Sequence, residues 1–380
     1  MGLAALVLAP DRIGFATNLL ASFLVVPYIL FSPFFGWMAD RFSKTRVLGA
    51  ALLFQGGVAV LVVAAVALRR FDLALAGFFL FGIQTAWFSP AKQGILKELV
   101  GEAKLNAAVG WMEGLTIVGI LAGSFVGGVL LDALTRRTGD AWTGGAAALG
   151  LLALGCGAAW LLFRGVPVLP ARSAEPFRPS LFWVHFHDLR HLARQPALFG
   201  VSAGIAWFYG LGGLLYLIVV QAGRQAHPGV GAASYSGGVL ALLGCGIIGG
   251  AALYARLSRD RISLRTVPWS AAGLAGALLL AAALPPAHPS FLFAFFLVGL
   301  AGGTFIIPLN AYLQDKAEDR ERGRMIGAMN LLTNLTGIGA VAAHALMADR
   351  LGWGPGAQLA VLAATAALVL AVALRARRNG

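Results

Sequence analysis

Charge is what this chain lacks most. Charged residues fill 12% of its 380 positions, with 16 Asp and Glu beside 29 Lys and Arg, where a soluble domain carries about a quarter. So little ionic surface excludes a water-soluble fold of this size and leaves lipid as the solvent for most of the chain. Cysteine is scarce too. Cys156 and Cys245 lie inside apolar runs of different halves, which argues against a disulfide framework and reads as buried packing. The six histidines give one metal-like spacing, His187 and His191 with Asp188 between, but no third ligand accompanies it. The sequence calls for no metal and no cofactor.

What abounds is apolar, at 59% of residues. Unbroken runs such as Trp269 to Leu284 lack the two-residue alternation of barrel strands, so the spans are helices, each needing about 20 apolar residues. The pattern predicts eleven full spans, the first from Gly14 to Met38, the third from Leu73 to Ser89, the fourth from Leu105 to Leu131 and the last from Gly354 to Leu374. Gly2 to Ala9 is apolar but too short to cross. It has no basic residues ahead of it, so it is expected to be the tail of a truncated first helix rather than a signal peptide. The longest connection carries Pro167, Pro170, Pro176 and Pro179. It divides the chain into an N-terminal membrane half (1–164), a cytoplasmic linker (165–196) and a C-terminal membrane half (197–380). Within the linker, Phe182 and Trp183 mark an amphipathic surface helix.

A net charge of +13 suits nucleic acid only when the bases form a patch, and here they sit in short clusters between apolar runs. Topology accounts for them. One alternate set of loops holds 22 of the 29 Lys and Arg residues and the other holds 7. Segments kept in the cytoplasm carry the excess, so the basic loops and the C-terminus are expected there, in an inner membrane.

The two halves repeat. Arg41 to Arg46 aligns with Arg256 to Arg261 at an offset of 215, and Gly110, Met112, Leu115, Thr116 and Asp132 fall on Gly327, Met329, Leu332, Thr333 and Asp349 at an offset of 217. Parallel repeats of six spans are the architecture of major facilitators, whose substrate site lies between the halves near the bilayer midplane. The expected fold is all-α, two six-helix halves with the first helix missing or truncated.

Gly36, Asp40, Arg41, Lys44 and Arg46 form a run that resembles the loop motif of that superfamily. Gly36 is expected to let helices approach, and Asp40 to accept charge-assisted hydrogen bonds in one conformation only. With Lys92 they are candidates for a conformational gate, although positive-inside anchoring accounts equally for the bases. The runs Phe88 to Leu99 and Ile307 to Gln314, with Asn106, Glu113, Gly127-Gly128 and Arg322 to Asn334, resemble signature segments of the bacterial lysophospholipid transporters. The family's first helix carries a Gly-Asp-Asn motif absent from this sequence.

Glu113 is the one acid well inside a predicted span. An acid there costs about 2.5 to 3.5 kcal/mol on insertion scales unless it faces the bundle interior. Glu113 with Thr116, and Asn330 with Asn334, share helix faces, and with Gln84 they are the candidate substrate-binding residues, though polar helix contacts explain them as well. The resemblance implies that lysophospholipids move from the outer to the inner leaflet. A separate acyltransferase with acyl carrier protein synthetase activity would then reacylate them. It implies a monomeric carrier and not an enzyme. A proton-coupled antiporter using Glu113 remains the alternative. A membrane-embedded acyltransferase rests on the spacing of His344 and Asp349 alone, and a non-transporting receptor is a further possibility.

Overall fold

The computed structural model describes residues 10–171, 176–177, 181–258, 264–316 and 322–379. These residues form helices and no strand. In chain order they are α1 (Pro10–Arg41), α2 (Lys44–Ala67), α3 (Phe71–Val100), α4 (Glu102–Thr138), α5 (Ala141–Phe163), α6 (Leu181–Ala193), α7 (Pro196–Ala226), α8 (Ala232–Ser258), α9 (Val267–Ala283), α10 (Pro289–Lys316), α11 (Arg322–His344) and α12 (Pro355–Asn379). A π turn, Ala345–Arg350, prolongs α11. Nine of the described stretches are long and apolar enough to cross a membrane, ten if the two segments of α1 count as one span; α4 is not among them. The expected stub at residues 1–9 lies outside the described residues.

Local chemistry accounts for the irregular places. The two segments of α1, Asn18–Phe31 and Pro33–Arg41, meet at 55°, because Pro33 lacks an amide proton and its ring crowds the preceding turn. The chain leaves α4 through Gly139 in the left-handed region, at φ 69°, and Asp140 then caps α5 by accepting from the Thr143 amide at 3.0 Å. The Thr143 hydroxyl and amide hold the Asp140 carboxyl below the usual carboxylate range. The amphipathic helix expected in the linker is α6.

Helix pairing reproduces the repeat. In the first half α1 packs on α3, and α2 on both α3 and α5; in the second α8 packs on α10, and α9 on both α10 and α12. Pro90 inside α3 and Pro308 inside α10 occupy matching places. Among the described helices α7 has no counterpart in the first half. The pair α8 and α10 meets backbone to backbone through Gly246, Gly250, Gly299 and Gly303: a Cβ on Gly246 would stand 2.9 Å from the Leu300 amide nitrogen. Such close approach is how helices gain packing energy where lipid supplies no hydrophobic drive. Gly246 takes the α10 side, so Cys245, about 100° round the helix, is exposed; only Cys156 has the burial expected of both. Phe291, Phe295, Leu274 and Leu278 fill the second half.

Two predicted boundaries are corrected. The third span does not stop at Ser89: α3 continues through Pro90 to Val100, which carries Lys92 from a loop into a helix. The fourth extends beyond Leu131 to Thr138, so Asp132 lies within α4. A proline bends a helix more often than it ends one when neighbouring helices take up the freed carbonyl.

Candidate functional site

The halves meet along two helix pairs related by the repeat, α4 with α8 and α11 with α1. Both seams are tied by hydrogen bonds at the end remote from the basic loops. On the first, Asp132 of α4 accepts from the Ser234 amide at 2.7 Å and from the Ser234 hydroxyl. On the second, Asp349 in the π turn accepts from Asn18 Nδ2 at 2.8 Å. Asp132 and Asp349 stand 217 residues apart, and Asn18 and Ser234 stand 216 apart. The same donor position and the same acid therefore close both seams.

Burial weights the first tie, while in the second Asn18 and His344 are buried and Asp349 is exposed. Asp132 is 2% exposed and His344 is 1% exposed. Asn18 Oδ1 bonds His344 Nδ1 at 2.9 Å, so the one amide ties α1 to both His344 and Asp349 of the second half. Hydrogen bonds to charged groups contribute about 1.5 to 3 kcal/mol, and burial raises the cost of leaving them unmade. The His344 and Asp349 spacing thus has a structural use between α1 and α11. Close approach holds the α4 and α8 seam: a Cβ on Gly128 would overlap the Ala233 carbonyl, and one on Gly237 would stand 2.6 Å from the Ser124 carbonyl oxygen. At the basic end the first half's α3 packs on α1, α2 and α4, and no helix of the second half covers it to a comparable extent. The hydrogen-bonded ties thus close the end remote from the basic loops, while at the basic end α6 packs against both α1 and α11.

The gate candidates lie at the basic end. Asp40 is 67% exposed and Lys44 Nζ stands 3.7 Å from it. Lys44 itself is buried, with Nζ 2.7 Å from Glu98 Oε1 in α3, their side chains 5% and 8% exposed. Arg41 is half-buried and Arg46 exposed. A Cβ on Gly36 would meet nothing within 4 Å, so the close helix approach expected there is not made in this conformation. Lys92 has left this group, its Nζ bonding Thr116 Oγ1 at 2.8 Å.

The substrate-binding candidates are only partly brought together. Thr116 joins Lys92. Asn334 Nδ2 bonds the Asn330 carbonyl at 2.8 Å, one turn apart on α11, and both are half-buried. Gln84 is buried and faces α2, bonding Gln55 Oε1 at 3.3 Å inside the first half. The backbone of Glu113 belongs to α4, but its side chain lies outside the described residues. Sequence reasoning missed Glu98, Asp132, Asn18 and Ser234 as interface or gate residues. The offset of 217 did pair Asp132 with Asp349, a signal that the misplaced end of the fourth span concealed. Among the described residues no group of three His, Cys, Asp or Glu side chains is placed to hold a metal.

Comparison with known proteins agrees with this arrangement. The Major Facilitator Superfamily family model matches residues 4–341 and, in a second match, 269–379. Over 317 residues the chain is 32% identical to the lysophospholipid transporter LplT of Yersinia pestis (strain Pestoides F), covering 82% of this chain and 72% of that one. The LplT of Yersinia pseudotuberculosis serotype O:3 (strain YPIII) matches with the same values. Among solved structures, the transporter FucP in its outward conformation superposes with a TM-score of 0.63 at 16% identity, covering 97% and 91% of the two chains. A bacterial homologue of the human lysosomal transporter Spinster, inward-facing and unoccupied, superposes with a TM-score of 0.63 at 15% identity, covering 94% and 85%. The likeness to these structures speaks for the fold alone. The chain is a multi-pass membrane protein that belongs to the major facilitator superfamily and, within it, to the lysophospholipid transporters.

Proposed function

We propose that the protein flips lysophospholipids from the outer to the inner leaflet of a bacterial inner membrane by alternating access. The observation that carries the substrate class is the 32% identity to lysophospholipid transporters over 82% of the chain. The seam geometry supports the mechanism. With the basic loops in the cytoplasm, the ties of Asp132 and Asp349 close the external side. Rocking of the halves would break both ties together and expose the site outward. A single-chain lipid suits such a cavity, since its polar headgroup needs a wet site while its acyl chain stays in the bilayer. Glu113 is our candidate for the headgroup ammonium, with Asn330 and Asn334 as the candidates from the second half. Reacylation would fall to a separate acyltransferase with acyl carrier protein synthetase activity, and the carrier would work as a monomer. We read α4 as the eleventh span and α7 as the helix without a first-half counterpart among the described residues.

The test is reconstitution. Purified protein in liposomes, given labelled lysophosphatidylethanolamine in the outer leaflet, should make a growing fraction resistant to extraction by albumin. Protein-free liposomes should not. Protection no greater than in protein-free liposomes, together with dye movement driven by a proton gradient, would replace this reading by the antiporter. Within it, Asp40→Asn should slow flipping at unchanged affinity, because the exposed carboxylate is left for a partner in the other conformation. An unchanged rate at equal protein would leave that loop an anchor only.

A further inference from the structure

The geometry points to Lys92 and Thr116 as a subsite for the phosphodiester of the lipid substrate, the anionic group shared by lysophospholipids whatever their headgroup. This inference rests on the lysophospholipid reading above and names a site within it. Lys92 belongs to α3 because Pro90 bends that helix without ending it, and α3 runs on to Val100. Counting along the helices at about 1.5 Å per residue, Lys92 sits about 10 Å from the middle of α3 and Thr116 about 6 Å from the middle of α4, both towards the basic end. A lysine within a membrane helix is costly unless it faces water or an anion.

Among the described residues it meets no anion. Lys92 Nζ donates to Thr116 Oγ1 at 2.8 Å, and Thr116 passes its own proton to the Met112 carbonyl at 2.7 Å. The threonine is therefore a neutral acceptor with its hydrogen already committed. An ammonium has three donors, so two N–H groups remain for a ligand. Among the described residues no carboxylate lies within ion-pair distance of Lys92, whereas Lys44, at the start of α2, has Glu98 at 2.7 Å. The contrast separates a structural lysine from one held ready.

Lys92 lies off the packed face of its helix. Ala91 and Ile95 on the neighbouring face of α3 pack into the first half's core with Ala39, Val47 and Leu48. Lys92 and Ser89 are half-buried on the other side. On that face Ser89 Oγ lies 3.4 Å from Tyr28 Oη of α1 and Lys92 reaches Thr116 of α4, a helix of the seam between the halves. A phosphodiester carries one negative charge and two unesterified oxygens, which match the two remaining N–H groups of Lys92 through charge-assisted hydrogen bonds.

The experiment measures the affinity of the purified full chain for lysophosphatidylethanolamine, lysophosphatidylglycerol and a monoacylglycerol of the same chain length, which has the acyl chain but no phosphate. Lys92→Ala should raise Kd about tenfold or more for both lysophospholipids and leave monoacylglycerol affinity where it was. Lys92→Arg, which keeps the charge, should retain both phospholipid affinities within about threefold. Taking the ratio of phospholipid to monoacylglycerol affinity within one sample removes any effect of a smaller folded fraction. Unchanged phospholipid affinity with slower flipping would overturn the subsite and return Lys92 to the gate. Loss confined to lysophosphatidylethanolamine, or an equal loss for monoacylglycerol, would also overturn it. If the wild-type chain binds neither lysophospholipid, the transport reading falls first and this one with it.

Discussion

Gly128→Val is expected to abolish transport while the protein remains folded in the membrane, held open at the end where α4 now meets α8. The obstruction is backbone: a Cβ on Gly128 would overlap the Ala233 carbonyl, and no rotamer change in a neighbour relieves that. Overpacking of this kind costs about 1 to 3 kcal/mol. At the upper end that is a shift of about 150-fold between two conformations. The closed seam also holds the Asp132 and Ser234 tie, which the same displacement breaks. The check is a single cysteine at Ser234 in a background with Cys156 and Cys245 replaced, labelled by a membrane-impermeant maleimide. Labelling should rise sharply in Gly128→Val. If labelling and flipping both match the parent, α4 and α8 do not close in the transport cycle.

Glu98→Gln carries the second large effect, on stability. Lys44 and Glu98 form a buried pair at 2.7 Å, and without the carboxylate Lys44 keeps the 3.7 Å contact to exposed Asp40. Removing one partner of a buried pair costs about 3 to 5 kcal/mol, while replacing both by apolar groups of similar volume is often neutral. Glu98→Gln should therefore lower the unfolding temperature in detergent markedly, and the double variant Lys44→Met with Glu98→Leu should recover most of it. Gly94 makes the recovery plausible sterically, since it leaves the space that the Lys44 stem occupies: a Cβ there would stand 2.7 Å from Lys44 Cε. Equal melting of the single variant and the parent would deny the pair any structural weight.

The residues themselves explain what was legible. Lys44 read as one of several positive-inside bases, because charge counting treats all loop lysines alike. Its burial against Glu98 depends on α3 running two to three turns past Pro90, which hydropathy cannot see once polar residues return. The same blindness hid Asp132, placed outside a span that in fact continues to Thr138. Asn18 and Ser234 gave no signal, because each is an ordinary polar residue until the opposite half supplies an aspartate.

The membrane class, the helical spans, the duplication and the family resemblance were determined by the sequence alone. Each is a one-dimensional property: apolar runs of sufficient length, basic loops in alternation, and similar residues at offsets near 216. Tertiary structure alone decided which polar groups meet. The pairing of α4 with α8 and α11 with α1 turns two isolated acids into matched ties, and the continuation of α3 carries Lys92 to Thr116. Those contacts join residues 24 to 331 positions apart, and their energies depend on distance and burial, which exist only after the helices have packed.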